Sequence, residues 1–245
     1  MSRKYLAFDI ETAKVLRGSD QDWKSNRPLG ISCAATLISD STEPLLWHGG
    51  ASRKRPAARM SRQEAVRLVN YLAGQVKRGY TIVTWNGAGF DFDILAEESG
   101  MLKECIRLAR DHVDMMFHVL CKLGYPISLD STAKGMDLLG KKAGMTGDLA
   151  PRYWAQGRGE KVLEYVTYDV QITLEVAQIC ESQGCIRWVT RSGKRRKLPL
   201  SEGWLPVSLA EKLPIPCNFW MRNQWPRTTF TAWQRFKDSN SSPSR

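Results

Sequence analysis

Histidine is scarce in this chain of 245 residues, which holds three, at His48, His112 and His118. None lies in an arrangement with serine or cysteine that suggests a nucleophile and its base, so all three read as structural or surface residues. The six cysteines (33, 105, 121, 180, 185 and 217) form no Cys-x-x-Cys pair and have no histidine at finger-like spacing. That argues against a zinc site or a disulfide framework and for reduced thiols in an intracellular protein. Apolar runs long enough to cross a bilayer are missing. The run after Arg3 and Lys4 is cut short by Asp9 and Glu11, so no signal peptide is expected, and the expectation is a cytoplasmic protein with no membrane partner. A glycine-rich phosphate loop and internal repeats are also lacking.

Negative charge is the minority sign, with 36 Lys and Arg against 25 Asp and Glu. From Ile186 to Arg245 there are twelve Arg and Lys against three acidic residues, a net of +9 out of the total of +11, so the rest of the chain is nearly neutral at +2. Five of the nine tryptophans (188, 204, 220, 225 and 233) fall in the same basic segment. A near-neutral module joined to a basic, tryptophan-bearing one is what an enzyme acting on a polyanion would need. With 42% hydrophobic and 25% charged residues the composition is that of a globular protein, and the length fits one large α/β domain, or one domain plus an appendage.

Tyr5 to Ile10 reads as a first strand, Ile31 to Ile38 and Leu45 to His48 as two more, joined by a turn around Asp40 to Pro44; together they suggest an antiparallel half-sheet. Ser61 and Glu64 form a capping box before a helix with Val66, Val69, Leu72, Ala73 and Val76 on one face. Thr81 to Trp85 is the next strand, and Phe92 to Glu98 a helix start. Leu102 to Cys121 and Leu129 to Leu139 carry helical patterns separated by Gly124-Tyr125-Pro126, with Asp130 read as a helix cap. Residues 140–159 read as loop and Glu160 to Ser182 as a long amphipathic helix. Arg187 to Lys197 reads as a hairpin turning at Ser192-Gly193-Lys194, and a proline-rich stretch follows. The predicted organisation is a domain over residues 1–184, a basic Trp/Pro-rich extension packed on it over 185–238, and a disordered tail over 239–245.

Four carboxylates then stand out: Asp9 and Glu11 in Phe8-Asp9-Ile10-Glu11-Thr12, Asp91 in Asn86-Gly87-Ala88-Gly89-Phe90-Asp91, and Asp169 in Tyr165-Val166-Thr167-Tyr168-Asp169. Each sits at the edge of an apolar run, where burial needs a compensating charge. Asp9 and Glu11 are two apart on a strand and share a face; Tyr165 and Asp169 are four apart on a helix and do likewise. Asp91 follows a glycine-containing turn after a strand, where ligands of α/β sheets gather. Four oxygen donors suit hard ions such as Mg²⁺ or Mn²⁺, and two such ions about 4 Å apart can direct in-line attack on a phosphodiester. Asp93 is a rival to Asp91, but the spacing Phe90-Asp91-x-x-x-Leu95 favours Asp91. Asp111 and Asp114 read as surface or helix-start charges.

In order and each on its expected element, these segments resemble the three blocks of the DEDD superfamily of 3′→5′ exonucleases, with the tyrosine four residues before the last aspartate marking the tyrosine subclass, DEDDy. The resemblance covers residues 4–182 and is closest to proofreading domains of family B DNA polymerases and their stand-alone relatives. It implies a ribonuclease-H-like α/β fold, a mixed sheet antiparallel in its first three strands and flanked by helices, with the basic extension outside it. It further implies a two-metal exonuclease using Mg²⁺ or Mn²⁺, with Asp9 bridging both metals, Glu11 and Asp169 completing the site of the attacking water, Asp91 holding the second metal and Tyr165 orienting the water. By the same resemblance Thr12 meets the terminal nucleotide, and Asn86 and Phe90 the penultimate one; Phe90 reads equally as a core residue. Products would be nucleoside 5′-monophosphates from the 3′ end of single-stranded or frayed nucleic acid, DNA favoured.

Arg195 and Arg196, with Trp188 beside them, fit a positive surface with an aromatic face for single strands. Trp204, Trp220, Trp225 and Trp233, set among Leu, Pro and Phe, are read as a small packing core. The partners implied are single-stranded DNA or RNA, with a polymerase or other nucleic-acid-processing protein as a candidate. RNA 3′-end trimming is the alternative activity, and a binding subunit without catalysis the alternative class; retention of all four carboxylates and the tyrosine argues against the latter.

Overall fold

The computed structural model describes residues 3–16, 23–50, 52, 56–138, 146–219, 221 and 224–235. Strand β1 (Lys4–Thr12) pairs antiparallel with β2 (Ile31–Ile38), which pairs antiparallel with β3 (Leu45–His48). Helix α1 (Arg62–Lys77), started by the Ser61–Glu64 capping box, leads into β4 (Tyr80–Thr84), which lies parallel to β1. After α2 (Asp91–Ser99) and α3 (Leu102–Asp111) comes β5 (Val113–Asp114), parallel to β4, so the sheet has five strands in the order β3-β2-β1-β4-β5. Then follow α4 (Met115–Leu123), α5 (Leu129–Gly135), α6 (Ala150–Ala155) and α7 (Gly159–Gln183). The sheet is mixed, antiparallel in its first three strands and flanked by helices, as expected for a ribonuclease-H-like fold.

Alternation along β1 decides where the site forms. Leu6, Phe8 and Ile10 point into the core built with α1, α2 and α3, while Tyr5 and Ala7 point into the core built with α7. Asp9 and Glu11 continue the second row, so both carboxylates emerge on the α7 face. On α7, Val162, Tyr165, Val166, Asp169, Ile172 and Val176 are all buried, which makes the stripe that carries Tyr165 and Asp169 the one laid against the sheet.

Some local expectations are corrected. The single helical pattern over Leu102–Cys121 is broken by His112, Val113 and Asp114, where the chain drops back into the sheet as β5. Two buried residues are too few to leave a strand pattern in a sequence. The stretch read as loop contains α6, with Pro151 in its first turn. Asp130 is not the cap of α5: the Ser128 side chain accepts from the Ser131 N–H, and Asp130 pairs with Lys134 instead. Residues 139–145 and the tail 239–245 lie outside the described residues.

The C-terminal segment forms a hairpin, β6 (Cys185–Val189) with β7 (Arg195–Pro199), and the short helices α8 (Val207–Ala210) and α9 (Thr228–Thr231). Trp204 is fully buried, its Nε1–H donating to the Ala177 carbonyl of α7 at 3.1 Å, which fits the packing role read for it. Trp188 is also buried in the core, which corrects its reading as a stacking face. Trp225 is 47% exposed, so it does not belong to a packing core, and Trp220 lies outside the described residues. Among the described residues no helix is long and apolar enough to cross a membrane.

Candidate active site

The strand, the turn and the helix converge as their sequences suggest. Asp9, Glu11, Thr12, Asn86, Phe90, Asp91, Tyr165 and Asp169 all line one cleft of about 240 Å³. Carboxylate oxygens of Asp9, Glu11 and Asp169 lie within 4.8 Å of one another. Glu11 and Asp169 are buried, and negative charges so close together repel one another, which a bound cation or a retained proton relieves, so the three could hold a metal ion. The donor set holds carboxylate oxygens and neither imidazole nor thiolate, which fits Mg²⁺ or Mn²⁺ better than zinc.

Asp91 is the first residue of α2. One of its oxygens accepts the Ile10 N–H at 3.0 Å, and the side chain is within hydrogen-bonding reach of Asp9. Burial pushes its carboxyl well above the usual carboxylate range; the Asp114 carboxylate adds to this, and the Ile10 N–H works against it. The rival Asp93 is turned away from the cleft and is held by the Arg27 guanidinium at 2.9 Å. The Tyr165 phenol is pushed upward, first by burial and then by Asp169, Glu11 and Asp9, and it is within hydrogen-bonding reach of Asp169 one helical turn on. A phenol so placed keeps its proton at neutral pH and can donate it.

The turn before Asp91 is tightly specified. Asn86 has φ 79°, rare for a residue with a side chain. Asp114 accepts the N–H groups of Asn86 at 3.0 Å, Ala88 at 2.9 Å and Phe117 at 2.9 Å. Burial raises its carboxyl to about 6, opposed by these three donors. The helix-start reading of Asp114 is correct, since it caps α4, but its burial beneath the turn is a role the sequence reading missed. Its place at the end of the sheet strand next to β4 is the signal, and it is visible only once β5 is recognised. Thr173, buried and one turn beyond Asp169, also lines the cleft and was missed, because it belongs to no block.

Not every proposed residue joins the cleft. Arg195 and Arg196 are exposed on β7 and are not among its lining residues. Being neighbours on a strand they face opposite ways: Arg196 stands opposite Trp188, while Arg195 stands opposite Val189 and pairs with Asp137 at 2.6 Å. Asp111 is a surface charge near Arg107, as read. His112 and His118 are buried and structural; the Thr84 hydroxyl bonds His112 Nε2 at 3.0 Å. A larger groove of about 810 Å³ lies on the C-terminal segment, lined by Lys212, Ile215, Trp225 and Arg235 among others, but none of the four carboxylates borders it.

No curated protein matches the chain significantly. Among solved structures the chain is similar to the family B DNA polymerase from the hyperthermophilic archaeon Pyrobaculum calidifontis, with 19% identity and a TM-score of 0.54, over 86% of this chain and 27% of that one. It is more weakly similar to a structure described as an ExoI/SSB-Ct complex, with 12% identity and a TM-score of 0.39, over 74% of this chain and 42% of that one. The chain thus spans 27% of the polymerase's length, and the likeness is one of fold. Residues 46–179, more than half of the chain and including Asp91, Tyr165 and Asp169, match the family model described as RNase_H superfamily. With that match on a mixed sheet of order β3-β2-β1-β4-β5, the chain belongs to the RNase_H superfamily.

Proposed function

We propose that the protein is a divalent-metal-dependent 3′→5′ exonuclease of the DEDDy type, hydrolysing single-stranded or frayed nucleic acid to nucleoside 5′-monophosphates. The superfamily fold and the acidic cluster support nuclease activity in general. The observation that carries the finer reading is the meeting of Asp9, Glu11 and Asp169 within 4.8 Å, in the cleft that Asp91 and Tyr165 also line.

Asp9, Glu11, Asp91 and Asp169 would hold Mg²⁺ or Mn²⁺, and when bound there the metal supplies the acidity that turns water into hydroxide and the charge that stabilises the departing 3′-oxygen. The four carboxylates are preorganised for this by β1, the Asp91 turn and α7, so no covalent nucleophile is needed. Tyr165 donates its hydroxyl hydrogen and so orients the attacking water. Thr12, Asn86 and Phe90 position the terminal and penultimate nucleotides at the mouth of the cleft. The basic hairpin, with Arg195 and Arg196, grips the phosphates farther along the strand. The preference for DNA rests on the likeness of the three blocks to proofreading domains.

Matched DNA and RNA oligonucleotides with Mg²⁺ or Mn²⁺ test this. Release of 5′-monophosphates, faster from DNA, is expected; faster release from RNA would move the assignment to RNA 3′-end trimming, and binding without release would move it to a binding subunit.

A further inference from the structure

The turn between β4 and α2, which carries Asn86, Phe90 and Asp91, is gripped from two sides. From within the sheet, Asp114 accepts the N–H groups of Asn86 and Ala88, and the Thr84 hydroxyl accepts the Gly87 N–H at 3.0 Å. The second grip comes from the far end of the chain. Trp233 Nε1–H donates to the Ala88 carbonyl at 2.7 Å, across 145 residues of sequence. The buried Ala88 peptide is thus closed at both ends, by Asp114 at its N–H and Trp233 at its C=O.

Phe230 presses on the same turn. A Cβ placed on Gly89 would lie 2.6 Å from Phe230 Cδ1 and 3.0 Å from Asn86 Oδ1. Gly89 is not among the residues with positive φ, so its backbone would accept a side chain and the space would not. The glycine before Phe90 is therefore required by a ring that arrives from α9. That ring rests on Phe117, with centroids 5.8 Å apart. The arriving segment is itself well anchored. The Arg227 guanidinium donates to the carbonyls of Cys121, Glu211, Leu213 and Pro214, and Lys24 Nζ donates to the Thr229 carbonyl at 3.1 Å.

We propose that residues 227–235 form a strap that completes the acidic site, with Trp233 and Phe230 as positioning residues that fix the Asn86–Asp91 turn. The basic extension then governs the geometry of the catalytic centre, beyond any hold on nucleic acid. Asn86 at φ 79° occupies a sparsely populated region, tolerated by Asn and held by its surroundings, and the strap is part of those surroundings. Asp91 follows the turn directly, so a shift at Ala88 is passed to the second-block carboxylate. The kinetic consequence rests on the nuclease reading; the positional claim does not.

The test uses the full chain and two measurements. Trp233→Phe keeps a ring in place and removes the donor together with part of the indole's bulk. Hydrogen exchange should quicken in peptides covering residues 86–91 and stay unchanged in β1 and α7, while kcat with Mn²⁺ falls about tenfold at nearly constant KM. Gly89→Ala and Phe230→Ala should each lower kcat, and the double variant should be no slower than Gly89→Ala alone, since the ring that the new methyl strikes is gone. Unchanged exchange at 86–91 in Trp233→Phe, or fully multiplicative losses in the double variant, would overturn the strap. If the parent protein cleaves nothing with any metal, the nuclease reading fails and the exchange measurement still decides the strap.

Discussion

The Ile10 N–H donates to the Asp91 carboxylate at 3.0 Å, so the strand that bears Asp9 and Glu11 also holds the carboxylate of the second block, 81 residues away. The central strand therefore serves three of the four acidic residues, two by its side chains and one by its backbone. The fourth, Asp169, is brought to the same place by the buried stripe of α7.

That arrangement sets function against stability. Asp91 is buried and its carboxyl is raised by desolvation and by Asp114, so its ionised form burdens the metal-free fold. In Asp91→Asn the amide oxygen can still accept the Ile10 N–H while the charge is gone. The variant should be more stable than the parent in metal-free buffer by ~1 kcal/mol, and so melt higher. Its nuclease activity should fall by about a hundredfold or more, since a metal ligand supplies several kcal/mol in the transition state. Thermal melts with chelator and rate assays with Mn²⁺ check both; a lower melting temperature with full activity would place Asp91 outside the metal site.

Saturating Mg²⁺ or Mn²⁺ should raise the melting temperature of the parent, because an ion bound by the folded state alone adds ~2.7 kcal/mol at a hundred times its Kd. Asp9→Ala should abolish that rise and the activity together. Tyr165→Phe should keep the rise and slow hydrolysis by about ten- to a hundredfold, as expected for loss of a single oriented donor. Equal and complete loss in both variants would contradict the roles given to them.

Acid should act through buried histidine. His118 is buried against Trp204, with ring centroids 5.6 Å apart, and its Nδ1 accepts the Leu205 N–H at 3.3 Å. Burial lowers its pKa from 6.5 to about 4. The unfolded chain therefore binds the proton first, and the stability contributed by the neutral ring is complete above pH 6.5 and is lost as pH falls toward 4. Asp91 and Asp114, whose carboxyls are raised, work in the opposite direction over a similar range, so the parent profile alone is ambiguous. His118→Asn keeps an acceptor near the Leu205 N–H and removes the titration. Between pH 6.5 and 4 the variant should lose up to ~3 kcal/mol less stability than the parent. Parallel denaturation curves over that window would show that His118 does not control the acid limb.

The hairpin prediction concerns binding alone. Reversing charge at Arg195 and Arg196 should weaken single-strand binding and reduce its salt dependence by about one unit of slope per lost phosphate contact, while turnover at saturation changes little. The two side chains face opposite sides of β7, so the single reversals should differ, with the larger effect marking the face that meets the strand. An unchanged salt slope in both would remove the hairpin from the binding surface.

Strands β1 to β4, the capping box of α1, the long α7 and the shared faces of the acidic residues were legible in the sequence because each depends on local spacing: two residues for Asp9 and Glu11, four for Tyr165 and Asp169. Asp91 was read ahead of Asp93 from spacing alone, and the structure sets Asp91 on the cleft and pairs Asp93 with Arg27. What escaped depends on contacts between remote segments. A two-residue strand leaves no pattern, so β5 was hidden inside a helical run, and with it the burial of Asp114. The tryptophans looked alike in composition, yet Trp188 and Trp204 are buried, Trp225 is exposed, and Trp233 donates to the turn before Asp91. Nothing in the local sequence separates those fates.

The central claim is that the acidic cluster cuts a strand from its 3′ end with the help of divalent metal. Labelling one strand at its 5′ end and, separately, at its 3′ end, with and without Mn²⁺, tests it most directly. With metal, the 5′-labelled strand should shorten one nucleotide at a time, and the 3′ label should leave at once as a nucleoside 5′-monophosphate, with neither event in chelator. Internal fragments, release from the 5′ end, or cleavage that persists without divalent ions would contradict it.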